Sequence, residues 1–170
     1  IEFEDVTDYS NKEHVKEVFS SELKSMIKNV CIKEKPYCLV VGLGNSKSTP
    51  DSLGPLSINN IIVTSHLFEI ENVEGFMKVS AINPGVMGET GIETSDILSA
   101  VCKEFKPNLV ILIDALASKS IKRINRAIQL NDVSISPGSG VGNYRKVINF
   151  KSLNAPLISI GVATVIEAYS

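Results

Sequence analysis

Two acids stand where an alternating strand and helix pattern would place chemistry. Asp114 follows LVILI at 109–113, so a carboxylate closes the carboxyl end of a hydrophobic run. Asp51 lies in TPDSLGP at 49–55, beyond a second apolar run at 37–41 that ends in Gly42. Each acid has a local structural reading: Asp51 as a cap accepting orphan helix amides, Asp114 as a hydrogen-bond anchor for the DALAS turn. They also have a joint reading. Adjacent parallel strand ends bring distant residues together, and two facing carboxylates favour holding one proton between them. One then activates water while the other assists a carbonyl or leaving group, which is hydrolytic chemistry.

Around this pair the sequence offers further candidates for a substrate cleft. Gly44 and Asn45 belong to a GLGN turn directly after the strand at 37–41. This is not a dinucleotide loop, because Lys47 stands where GxGxxG needs its third glycine, and no Walker A lysine follows. Glu89 and Glu93 bracket GETGIE and reach the same cleft or cap the next helix. Gly138, Ser139 and Gly140 sit in PGSGVGN, a segment whose glycines permit close backbone approach to a ligand or a plain crossover. His14 and His66 lie in helical patterns outside any HExxH, no GxSxG elbow is present, and Cys31, Cys38 and Cys102 form no CxxC pair. The cysteines read as reduced, buried small hydrophobes of a reducing compartment. No cofactor is implied by these residues; a metal, if present, would use Asp51 and Asp114 with one further side chain.

The elements that must carry these residues alternate. A helix is expected from Ser10 or Asn11 to about residue 29, a helix from 56 through His66, a strand at 76–82, a helix at 94–105, a strand at 109–113, a helix from Ser118 or Ser120 to about 130, and a strand at 157–162. Residues 1–6 look strand-like. Such alternation predicts an α/β three-layer sandwich with a mostly parallel sheet, ligands binding beyond the carboxyl ends of its strands. Lys119, Lys122, Arg123 and Arg126 read as a solvated helix face.

Size and composition agree with one domain over residues 1–170, with 44% hydrophobic and 21% charged residues. A formal charge of −2 supplies no field for a phosphate backbone, so no direct nucleic-acid partner is expected. No apolar run approaches a membrane span and the acidic start is unlike a signal peptide, so no membrane partner is expected and a cytoplasmic location is. The missing initiator Met and abrupt start suit a processed product or a piece of a longer protein.

Taken together, CLVVGLGN at 38–45, TPDSLGP at 49–55, VTSHLFE at 63–69, PGVMGETGIET at 84–94, IDALAS at 113–118 and PGSGVGN at 137–143 resemble the germination protease family. These are endopeptidases that degrade small acid-soluble spore proteins in germinating spores. The resemblance implies an atypical aspartic peptidase whose acids match Asp51 and Asp114, a propeptide-bearing precursor, a homotetramer and a spore-core location. It further implies a fold similar to hydrogenase maturation endopeptidases, whose comparable acids surround nickel; metal-dependent hydrolysis is therefore the competing mechanism, and a noncatalytic domain for protein binding or assembly is the third. Two departures stand out: SISPGSG lacks the usual His before the Pro, and GVATVIEA replaces the commoner GVPTVVDA.

Overall fold

The apolar runs become the inner strands of a five-stranded sheet. The computed structural model describes residues 1–70, 73–132 and 146–167. Its strands are β1 (Cys38–Gly42), β2 (Val79–Ile82), β3 (Leu109–Ser118), β4 (Ile128–Asn131) and β5 (Leu157–Ile166), in the order β2-β1-β3-β5-β4. The first four in that order are mutually parallel, and β4 runs antiparallel to β5. The α-helices among the described residues are α1 (Tyr9–Val30), α2 (Leu53–Ile58), α3 (Met87–Thr90), α4 (Thr94–Phe105) and α5 (Phe150–Leu153), with short 3-10 turns at Thr49–Asp51, Leu67–Glu69 and Ile121–Arg123.

Strand alternation sends successive side chains to opposite faces, and both faces are covered. Leu39, Val41, Val110 and Leu112 pack with Leu98 and Cys102 of α4 and Leu153 of α5. Cys38, Val40, Leu109, Ile111 and Ile113 pack with Phe19, Leu23, Met26 and Ile27 of α1 and with Leu53 and Ile58 of α2. This is the expected three-layer α/β arrangement with a mostly parallel sheet. Each fully buried Leu or Val stabilises it by about 1.5–3 kcal/mol, which is why β1 and the first half of β3 read as unbroken apolar runs.

Several expected elements differ in extent or kind. Helix α4 has the expected bounds, but α1 is capped by Asp8, whose carboxylate accepts from the Asn11 amide at 2.9 Å, rather than by Ser10 or Asn11. Helix α2 stops at Ile58, well short of His66, because the β-branched run 61–64 leaves the helix to dress the edge of β2. There Thr64 accepts from the Val79 amide at 2.9 Å, and the Thr64 and Ser65 amides bond to the Val79 carbonyl. The helix expected up to residue 130 is absent. β3 continues through Ser118, a short 3-10 turn spans Ile121–Arg123, and β4 follows. Ile121, Ile124 and Ile128 have helical spacing, yet Ile128 and Leu130 are half-buried while Gln129 and Asn131 are exposed, the period-two pattern of an edge strand. Residues 1–6 contribute a single bridge, Glu2 to Ala127. Among the described residues no helix is long and apolar enough to cross a membrane.

Candidate active site

The strand order places a crevice between β1 and β3. From β1 the chain passes to β2 on one side, while β3 lies on the other, and such a reversal opens a gap beyond the carboxyl ends of the two strands. Gly42 pairs with Ile113, and the Leu43 amide donates to the Ile113 carbonyl at 2.8 Å. Beyond this contact the chain after β1 turns away and β3 runs on.

Asp114 is therefore not at the end of its own strand, as the sequence suggested, but at the level where β1 has ended. It is 6% exposed, and its Oδ1 accepts from the Ala115 amide at 2.9 Å. Burial, with the charge of Asp51 adding to it, pushes its carboxyl up to about 7; the Ala115 bond works in the opposite direction.

Asp51 reaches this position through a loop built on two glycines. Gly44 has φ +113°, and a Cβ there would lie 2.1 Å from the Asp51 carbonyl oxygen. Only glycine lets the backbone pass so close. The Asn45 amide donates to both the Asp51 carbonyl and its Oδ2, each at 3.0 Å. Asp51 ends a 3-10 turn, Thr49–Asp51, closed by the Ser52 hydroxyl on the Thr49 carbonyl at 2.9 Å. Gly54 then seats α2 against both strand ends, since a Cβ there would meet the Leu43 carbonyl at 2.2 Å and the Ile113 carbonyl at 2.5 Å. The N-cap position of α2 is Ser52 rather than Asp51.

The fold thus brings together Asp51, Asp114, Gly44 and Asn45. Glu89 of α3 approaches from the loop after β2, where its carboxylate pairs with Lys47 at 3.0 Å, joining two loops at the carboxyl edge of the sheet. Glu93 occupies the N-cap position of α4 without a side-chain cap bond, and its charge acts on Lys146, which is held by Asp96 at 2.9 Å. Gly138, Ser139 and Gly140 lie outside the described residues. Lys119, Lys122, Arg123 and Arg126 do not form a helix face; Arg123 pairs with Glu2 at 3.2 Å. Both His14 and His66 are exposed.

All three cysteines are free and buried, and burial together with Cys31 pushes the Cys38 thiol up to about 12, far from a nucleophile's range. Two carboxylates fall short of the three or more protein donors that a catalytic transition metal takes up. No third His, Cys, Asp or Glu stands with them among the described residues. Among the described residues the donor set falls short of a resident metal ion's, whereas a buried Asp114 carboxyl beside Asp51 suits proton transfer. Sequence reasoning missed Gly54 and the Thr164 hydroxyl, which donates to the Pro50 carbonyl at 2.6 Å; a glycine beside Pro55 at a helix start was the available signal for the first.

The family model described as Germination protease matches residues 3–170. Germination proteases of Geobacillus sp. (strain WCH70) and Priestia megaterium (strain ATCC 12872 / QMB1551) are each 52% identical to the chain, over 94% and 96% of it. That of Bacillus subtilis (strain 168) is 50% identical over 95%. The chain spans less than half the length of these curated relatives, 44% of the first and 45% of the other two. Among solved structures it is similar to a [NiFe] hydrogenase maturation protease HycI from Thermococcus kodakarensis KOD1, with a TM-score of 0.47 and 19% identity over 84% of this chain and 85% of that one. With its matched residues running from 3 to 170, the chain belongs to the germination protease family.

Proposed function

We propose that this domain is the catalytic core of an endopeptidase that initiates degradation of small acid-soluble spore proteins, with Asp51 and Asp114 as its catalytic pair. The observation that carries the reading is the buried Asp114 carboxyl sharing the β1–β3 crevice with Asp51. With one proton on the pair, ionised Asp51 takes a proton from water as the water oxygen bonds to the scissile carbonyl carbon, and protonated Asp114 donates to the carbonyl oxygen. Collapse of the tetrahedral intermediate breaks the carbon–nitrogen bond; the proton on Asp51 passes to the leaving amine and the carbonyl oxygen returns its own to Asp114. Gly44 and Asn45 shape the floor beside the acids and Glu89 borders the path of an extended peptide, while Gly138, Ser139 and Gly140 are substrate-cleft candidates on their sequence alone.

The same reading includes a propeptide-bearing precursor, homotetrameric assembly, action in the cytoplasm of the spore core, and no nucleic-acid or membrane partner. Cleavage of a small acid-soluble spore protein by the full-length protease, with and without a chelator, tests it. The expected result is turnover insensitive to chelation; loss of turnover on chelation would favour the metal-dependent mechanism instead.

A further inference from the structure

Strand β5 carries one more residue than β3 where the two pair. Leu116 stands opposite Ala163 and Ala117 opposite Val165, so Thr164 is the inserted residue of a β-bulge. A bulge bends and twists its strand and re-aims a side chain. Here the re-aimed hydroxyl donates to the carbonyl of Pro50, the residue immediately before Asp51. Three positions earlier on β5, Gly161 is level with Asp114. The strand thus runs beside one acid and holds the turn that bears the other. The bonds from Asn45 and Ser52 close that loop on itself, whereas the bond from Thr164 ties it to the sheet.

We propose that Thr164 is a positioning residue for Asp51, its bulge and hydroxyl setting how far Asp51 stands from Asp114. This deepens the reading of the two acids as the proteolytic pair and rests on it. Pro50 is exposed, so water replaces the lost donor in a Thr164→Val variant, and the similar shape of Val leaves the strand intact. In the full-length protease acting on a small acid-soluble spore protein, Thr164→Val is expected to lower kcat roughly 10- to 100-fold with KM unchanged, the scale of a small misplacement of a reacting group. Thr164→Ser, which keeps the hydroxyl, is expected to restore most of the turnover. Thermal unfolding of each variant separates positioning from folding, because a merely structural role would move the melting temperature and leave the kcat of the folded protein unchanged. Wild-type kcat in Thr164→Val, or a Thr164→Ser variant no better than Thr164→Val, would overturn the proposal. Asp51→Asn and Asp114→Asn run in the same assay distinguish the two levels. If both lose turnover while Thr164→Val keeps it, only the role of Thr164 falls; if both keep it, the catalytic pair falls and the role of Thr164 with it.

Discussion

The Leu43 amide donates to the Ile113 carbonyl at 2.8 Å, and from that bond onward β1 and β3 part company. The positions of Asp51 and Asp114 follow from this divergence. One step further along β3 is Asp114; a few residues further along the other branch, the glycine loop doubles back to present Asp51. Gly54 then packs between the same two residues, sealing the base of the crevice with the start of α2.

The burial of Asp114 costs the fold stability once the carboxyl ionises. Folded, its carboxyl holds a proton to about pH 7, while the ordinary value is 3.8. Between those limits the folded state binds more protons than the unfolded state, so this group's contribution to stability falls as pH rises and levels off above the folded value. Asp114→Asn removes the penalty. Chemical denaturation at pH 8 is expected to show the variant more stable than the wild type, by up to the order of 4 kcal/mol, the difference vanishing below pH 4. Equal stability at pH 8 would mean that the carboxyl is not held against its burial.

Gly54→Ala tests the seat of α2. The added methyl would collide with the Leu43 and Ile113 carbonyls, which are backbone and part of the sheet. A loss of roughly 3 kcal/mol of unfolding free energy is expected, at the upper end for overpacking, as α2 is driven off the strand ends. Urea unfolding of the purified variant measures it, and a change below about 0.5 kcal/mol, typical of a surface substitution, would show that the close approach is not made.

The thiols offer a probe of the core. Cys38 is buried beneath the sheet face that α1 covers, and its thiol is raised to about 12. With an aromatic disulfide reagent at pH 8, Cys38 and Cys102 are expected to react only as fast as the domain opens, and all three cysteines at once in denaturant. Immediate labelling of Cys38 in the native protein would contradict the packing of α1 on the sheet.

The strongly patterned parts of this fold were legible in the sequence and the relational parts were not. The uninterrupted run ending at Gly42 marked a buried central strand, the helix at 94–105 carried its own periodicity and breaker, and both acids stood out as polar residues following apolar runs. By contrast, Ile121, Ile124 and Ile128 mimic a helical stripe, and only pairing with β5 makes 128–131 a strand. Asp114 looked terminal because the run changes character there; β3 actually continues as Ala115 to Ser118 beside β5. The bulge at Thr164 exists only as a mismatch of register between two strands, a quantity that no single segment contains. The family blocks named Asp51 and Asp114 as a pair, but the charge of Asp51 acting on a more deeply buried Asp114 emerged only when the strand ends were assembled.

The pH dependence of kcat/KM for the full-length protease on a small acid-soluble spore protein, measured beside Asp51→Asn and Asp114→Asn, tests the catalytic pair most directly. The shared proton predicts activity that declines as pH rises through about 7, where Asp114 ionises, and losses of roughly 1,000-fold in each variant, the scale of a missing general acid or base. An activity level that stays flat through pH 7, or wild-type turnover in either variant, would contradict it.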